Sequence, residues 1–165
     1  MMLMWSLQTY ANSTLVDTLE KSTTIYLSVR VKEPVCQIVV PESVDFGESD
    51  VMQVSGIGIE SDFTITLKNC TQHIPKPGLA FRGEYIDTSG MYIKNKSGGD
   101  YAKGVGVHLK YKGEKVNINN GVTLEALNAH SSNVFYFTAY LGRAGDEDVT
   151  AGKVDTNVTV SVTYN

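Results

Sequence analysis

The sequence lacks long apolar runs and lacks an excess of basic residues, and each absence excludes a class of protein. No stretch of roughly eighteen apolar residues occurs, so the 165 residues offer no candidate for a membrane-spanning helix. The chain has 14 Lys and Arg against 18 Asp and Glu, whereas nucleic-acid-binding domains usually carry a basic face. Because hydrophobic residues still make up 42% of the chain, we expect a folded domain rather than a disordered chain.

Cysteine and proline are also scarce, whereas β-branched residues and glycine are abundant. Val, Ile and Thr make up about a quarter of the chain, and 15 glycines accompany only 4 prolines. This composition indicates short strands joined by turns, in one domain long enough to bury a core. The two cysteines, Cys36 and Cys70, form a disulfide in an oxidising compartment or remain as buried free thiols in a reducing one, and composition leaves both open.

The first thirteen residues are apolar and uncharged. The positively charged start of a secretory signal is missing, but Ala11-Asn12-Ser13 fits a cleavage site with small residues at its first and last positions. We therefore predict that residues 1–13 are the remnant of a signal peptide whose true start lies upstream. The alternative is a disordered or incorrectly assigned N-terminus. Export would place both cysteines in an oxidising compartment.

Apolar and polar residues alternate with a period of two along most of the chain, which is typical of half-buried strands. A hairpin is predicted at Lys112-Gly113, and one helical turn near 124–129 is the only helix candidate. Seven or eight short strands at this spacing predict an antiparallel β-sandwich. The clearest runs cover 63–67, 79–85, 105–111, 135–141 and 154–164.

Two strands do not fit an ordinary sandwich. Residues 25–31 alternate well but precede the first cysteine and the first strand of the core, and the sequence ends on a strong strand. A sandwich should complete its sheets or protect their edges. An additional strand at one end and a missing partner at the other suggest that subunits exchange strands. An ordinary N-terminal strand that pairs within its own domain is the alternative.

Five segments, in this order and spacing, resemble chaperone–usher pilins over roughly residues 22–165. Two of them carry the cysteines, and the last carries a penultimate tyrosine. The segments are Val35-Cys36-Gln37-Ile38-Val39-Val40, Phe63-Thr64-Ile65-Thr66-Leu67-Lys68-Asn69-Cys70, Gly104-Val105-Gly106-Val107-His108-Leu109, Phe135-Tyr136-Phe137-Thr138-Ala139-Tyr140 and Val160-Ser161-Val162-Thr163-Tyr164-Asn165.

The resemblance implies an all-β, incomplete immunoglobulin-like sandwich that lacks one strand. A donor strand from a chaperone or from the next subunit would fill the resulting apolar groove by β-augmentation. The resemblance also implies that Cys36 and Cys70 form a disulfide. It divides the chain into an N-terminal extension with the donor strand, residues 14–35, and a pilin domain, residues 36–165.

Individual residues receive roles from the same resemblance. The donor strand would present Thr23, Ile25, Leu27, Val29 and Val31, and Val29 stands where the family usually has glycine, so a neighbour would need a wider pocket there. The floor of the groove would come from one face of the penultimate strand, or from its opposite face. The residues expected to contact the chaperone or line the acceptor groove are Phe135, Phe137, Ala139, Leu141, Val158, Val160, Val162, Tyr164 and Asn165.

The function implied is that of a structural, non-enzymatic subunit of a chaperone–usher fimbria that supports cell adhesion. Its partners would be a periplasmic chaperone, an outer-membrane usher and other pilin subunits, without nucleic acid, cofactor or metal. The subunit would be exported through the periplasm to the surface fimbrium. The alternatives are a single-domain fimbrial adhesin and a secreted glycan-binding β-sandwich.

Other chemistry has weaker support in the sequence. The three histidines are scattered and no nucleophile motif accompanies them. Cys36 with Cys70-x-x-His73 resembles three zinc ligands, but a disulfide would use the same two cysteines. The acidic run 146–148 lacks the spaced oxygen ligands of a calcium loop and reads as a solvated turn. Six basic residues between Lys94 and Lys115 form either a solvated surface or a patch that contacts an anionic glycan.

Overall fold

The computed structural model describes residues 35–164. The predicted signal remnant, the donor segment Thr23–Val31 and Asn165 lie outside the described residues. Within 35–164 the chain forms nine strands and one short helix. Their bounds are β1 Gln37–Val39, α1 Val51–Ser55, β2 Ile59–Lys68, β3 Pro77–Arg82, β4 Ile93–Lys94, β5 Val105–Tyr111, β6 Glu114–Lys115, β7 Val122–Thr123, β8 Ser132–Arg143 and β9 Thr159–Tyr164.

The strands form two antiparallel sheets. The larger has the order β1-β2-β8-β5-β4, with β6 paired to β5, and the smaller has the order β7-β3-β9. The predicted antiparallel β-sandwich is thus confirmed. No helix among residues 35–164 has the length and apolar character needed to cross a membrane.

The core forms because alternate residues of the long central strands point inward. Along the β2–β8 ladder, Phe63 lies opposite Phe137 and Ile65 lies opposite Phe135. Ile65 and Phe137 are almost completely buried, and the Phe63 and Phe137 rings stack with centroids 5.7 Å apart. At about 25 cal/mol per Å² of apolar area, these inward side chains supply much of the driving force for folding.

The disulfide implied by the resemblance is confirmed. Cys36 and Cys70 are bonded to each other across the end of the β1–β2 ladder, and both are buried. Because both sulfur atoms are in this bond, the two cysteines are not free thiols and cannot act as thiolate ligands of zinc.

The hairpin between β5 and β6 follows the prediction, but the helix does not. Lys112 and Gly113 both have positive φ, as the tight turns that suit hairpins require. The helical turn expected near 124–129 is wrong, because Leu127 instead forms an isolated antiparallel bridge with Ile74. The helix observed, α1, has only five residues, and its N-cap is Asp50, whose carboxylate accepts a hydrogen bond from Gln53 N at 2.7 Å.

His108 is half-buried on the outer face of the larger sheet, between two tyrosine rings. Its ring centroid lies 5.6 Å from those of Tyr92 and Tyr140. Its Nδ1 lies 3.1 Å from the carbonyl oxygen of Met91, and its Nε2 lies 3.3 Å from that of Arg143. Burial lowers the pKa of His108 below its ordinary value of 6.5, although the two carbonyl groups oppose the shift.

This lowered pKa predicts a loss of stability at mildly acidic pH. The unfolded chain protonates His108 as the pH falls through about 6.5, whereas the folded chain resists the proton, so the free energy of unfolding should fall below that pH. His108→Gln should remove this part of the pH dependence, and the exposed His73→Gln should keep it. Urea unfolding midpoints between pH 8 and 5.5 test the prediction, and parallel curves for wild type and His108→Gln would contradict it.

Candidate strand-binding groove

The smaller sheet ends in an unpaired edge. β9 pairs with β3 along its whole length, from Pro77 opposite Tyr164 to Arg82 opposite Thr159. On its other side, no strand among residues 35–164 pairs with it. The backbone N–H and C=O groups of such an edge form a template for one more strand.

The inward face of β9 is less buried than the rest of the core. Val160, Val162 and Tyr164 pack against the core but remain half-buried, as does Val158 just before the strand. Phe63, which points inward from β2, is also only half-buried. Apolar side chains that face the core yet retain exposure mark a place where the sandwich is open.

A cavity of about 240 Å³ lies beside this edge. Its second wall is the segment 40–46, which follows β1 and takes no part in either sheet. Its floor comes from four strands of the larger sheet, β2, β4, β5 and β8. The floor and the β9 side are apolar and include Phe63, Val107, Ala139, Val158 and Val160.

A second and larger cavity, about 770 Å³, continues toward the loop that leads into β9. Leu141 and Val105 lie on its floor, Val149 and Val154 come from the loop, and Phe46 belongs to the same 40–46 wall. Ala139 and Leu141 are successive inward residues of β8, so the two cavities follow one another along a single groove. We call both together the edge groove.

Tyr164 is the last residue of β9 and lines neither cavity of the edge groove. Its hydroxyl oxygen accepts a hydrogen bond from the backbone N–H of Cys36 at 3.0 Å. This contact joins the end of β9 to the start of β1, next to the disulfide. The end of β9 is therefore tied to the residue just before β1. No local pattern predicts this hydrogen bond, because the two residues are 128 positions apart in the sequence.

The structure brings some of the predicted groove residues together and separates others. Ala139, Val158 and Val160 line the first cavity and Leu141 the second, while Val162 and Tyr164 lie further along the same face of β9. Phe135 and Phe137 share the face of Ala139 but line neither cavity. Phe137 instead stacks against the rings of Phe63 and Tyr111.

Sequence reasoning missed the wall contributed by residues 40–46. Val44 and Phe46 border both cavities. Their alternation with polar neighbours is a signal for an extended segment with one apolar face, although it does not reveal which strand the segment faces. Taken together, the unpaired backbone and the apolar floor suit an extended apolar peptide rather than a small polar ligand.

Comparison with known proteins gives a family and a fold. A family model described as fimbrial protein matches residues 24–165. A chain in the structure of a chaperone–usher pilus is similar at 20% identity and a TM-score of 0.61, over 88% of this chain and 97% of that one. The P pilus rod subunit PapA is similar at 21% identity and a TM-score of 0.58, over 79% of this chain and 99% of that one.

A type I fimbria protein and antigen of Burkholderia pseudomallei is similar at 22% identity and a TM-score of 0.53, over 80% of this chain and all of that one. At such identities the structural likeness establishes the fold. No curated protein matches the sequence.

Proposed function

The chain belongs to the fimbrial protein family, and from that premise we propose that it is joined to its neighbours in a chaperone–usher pilus by donor-strand exchange. The observation that carries the proposal is the unpaired edge of β9 beside the apolar edge groove. An extended strand from another protein would pair with β9 and place alternate side chains in the groove. This is β-strand addition, in which backbone hydrogen bonds supply affinity and side-chain pockets supply register.

The free energy available from such an insertion is large. Burying four apolar side chains at about 1.5–3 kcal/mol each gives roughly 6–12 kcal/mol, part of which is offset by ordering the incoming strand. Pairing along β9 would also remove a sheet edge that is otherwise open to non-specific association. A subunit with a filled edge groove should therefore be much more stable than one with an open groove.

The segment Thr23–Val31 has the composition of the incoming strand. Ile25, Leu27, Val29 and Val31 occupy every second position, and polar or aromatic residues lie between them. Residues at alternate positions of a strand point to one face, so these four would enter a neighbour's groove together. The segment ends five positions before Cys36, which would place it at the junction between one subunit and the next.

Export and partners follow from this assembly. We propose that a periplasmic chaperone fills the edge groove first, that an outer-membrane usher exchanges the chaperone for the next subunit, and that the product is a surface fimbrium. The Cys36–Cys70 disulfide supports passage through an oxidising compartment. The role is structural rather than enzymatic, and it is served by the apolar lining of the groove.

Co-expression with a periplasmic pilus chaperone tests the proposal. We expect a one-to-one complex, because the chaperone would supply the strand that β9 lacks among the described residues. A peptide of residues 22–33 should then displace the chaperone slowly, and a peptide with Leu27→Asp should not, because it would place a carboxylate in an apolar groove. Size-exclusion chromatography of the mixtures gives the answer. A chain that stays monomeric and ignores both chaperone and peptide would refute donor-strand exchange.

A further inference from the structure

The structure divides the six basic residues between Lys94 and Lys115 into two groups. Three have acidic partners, and the pairs are Lys96–Asp155, Lys110–Glu60 and Lys112–Glu125. The other three, Lys94, Lys103 and Lys115, are exposed and form no ion pair with any residue of the described range 35–164. Within this segment, these three ammonium groups have charge left to meet an external anion.

Two of these lysines, Lys94 and Lys103, line a cavity of about 320 Å³. The cavity lies between the loop 95–104, which joins β4 to β5, and the turn 144–147, which follows β8. Its volume is at the lower end of the range of protein sites that hold small ligands. We call it the lysine cavity.

The lining of the lysine cavity combines aromatic and charged groups. Tyr92 and Tyr101 are partly buried beside it, and Asp146 and Glu147 add exposed carboxylates from the turn. A ligand with negative charge alone would be attracted by the lysines and repelled by the carboxylates. A ligand that also has hydroxyl donors and an apolar face can use every group of the lining. Uronic acids and sulfated sugars combine these three features in one ring.

The loop that carries the lysines is held in place by the amide group of Asn95. The amide nitrogen donates to the carbonyl oxygens of Ala102 and Lys153, both at 2.8 Å. The amide oxygen accepts a hydrogen bond from Asp155 N, also at 2.8 Å. One wall of the cavity is therefore fixed before a ligand arrives, which lowers the entropic cost of binding.

The second wall packs directly on the first at Gly104. This residue has a φ of +67°, and a Cβ there would lie 2.6 Å from the carbonyl oxygens of Glu147 and Asp148. Glycine is thus needed both for the backbone conformation and for the close approach of the turn. Ala144 N also donates to the carbonyl oxygen of Gly104 at 2.9 Å.

We propose that the lysine cavity binds one ring of an anionic saccharide, a sugar that carries a carboxylate or a sulfate group. Lys94 and Lys103 bind the anionic group through charge-assisted hydrogen bonds. The C–H face of the ring packs on tyrosine, and the carboxylates of Asp146 and Glu147 accept hydrogen bonds from the sugar hydroxyls.

This site is separate from the site of the proposed assembly. None of the charged residues of the lysine cavity lines either cavity of the edge groove. The inference therefore goes beyond the structural role and does not depend on donor-strand exchange.

Titration of the full-length chain with three labelled trisaccharides tests the ligand class. The probes are galactotriose, which is neutral, a sulfated galactotriose, and trigalacturonic acid, which carries carboxylates. Fluorescence anisotropy should show that at least one anionic probe binds ten times more tightly than galactotriose, or better, and the tighter of the two identifies the anionic group. Sodium sulfate should compete no better than sodium chloride at equal ionic strength, because free sulfate has no hydroxyl to offer the carboxylates.

Three lysine variants test the location of the site. Lys94→Gln and Lys103→Gln should each weaken binding of the anionic probe about tenfold, because each removes one charge-assisted hydrogen bond. Lys115→Gln is the matched control, since it removes the same charge from an exposed lysine that does not line the cavity. Urea midpoints should be equal for all three variants, which shows that each is folded.

Several results would overturn the assignment. Neither anionic probe might exceed the neutral one, Lys115→Gln might weaken binding as much as Lys94→Gln, or sodium sulfate might displace the saccharide specifically. The last result would mean that the lysines form a site for a bare anion. Each of these results would leave donor-strand exchange standing, because the variants do not alter the edge groove.

Discussion

Replacing both Cys36 and Cys70 by alanine should cost the chain about 3–4 kcal/mol of unfolding free energy. The disulfide spans 34 positions, and closing a loop of that length removes approximately this much conformational entropy from the unfolded state. The bond also fixes Cys36, whose backbone N–H donates a hydrogen bond to the Tyr164 hydroxyl at the end of β9. We therefore expect both a lower urea midpoint and faster release of a bound donor peptide.

Reduction of the wild-type chain provides an independent measure of the same effect. A reducing agent should lower the urea midpoint of the wild type to that of the Cys36→Ala, Cys70→Ala variant and leave the variant unchanged. Tyr164→Phe removes only the hydrogen bond between the Tyr164 hydroxyl and Cys36 N, and it should lower the free energy of unfolding by only about 1 kcal/mol. If the double variant unfolded at the wild-type midpoint, the bond would contribute nothing to the folded chain.

Alternation in the sequence predicted the central strands well because their burial is local and regular. β2, β5 and β8 each have one face in the core and one face outward, so a period of two is visible without knowledge of the partners. The short helix α1 was missed because five residues are too few for a helical period. Leu127 was assigned to a helical turn because nothing near it in the sequence reveals its bridge to Ile74.

The start of β9 shows how long-range contacts override a local pattern. Alternation predicts a strand from residue 154, yet the ladder with β3 begins at Thr159. The residues before it bond elsewhere: Lys96 N donates to the carbonyl oxygen of Asp155, and the Thr156 hydroxyl donates to that of Lys94. These bonds hold residues 155 and 156 beside the end of β4 rather than in the ladder with β3.

The groove itself was only partly predictable for a related reason. Ala139 and Phe137 lie on the same face of β8, so the alternation of apolar and polar residues predicts the same environment for both. Ala139 lines the cavity beside the 40–46 wall, whereas Phe137 stacks on the rings of Phe63 and Tyr111 and lines neither cavity. Sequence pattern identifies faces, whereas the location of an opening along a face depends on contacts between distant segments.

Placing a carboxylate on the groove side of β9 should abolish assembly while sparing the free subunit. Val160→Asp would leave the charge half-exposed to water when the groove is open, but a donor strand would bury it without a partner. An unpaired buried charge costs about 3–5 kcal/mol, so capture of the peptide of residues 22–33 should weaken by more than about a hundredfold. Fluorescence anisotropy with the labelled peptide measures this loss.

Ser161→Asp is the matched control, because residue 161 is the next position of β9 and is exposed. It adds the same charge to the same strand, and it should capture the peptide almost as well as the wild type. Lowering the pH should partly restore capture by Val160→Asp, since burial raises the pKa of a carboxyl group and a protonated carboxyl enters an apolar groove at less cost. Equal capture by both variants would mean that the donor strand does not lie along β9.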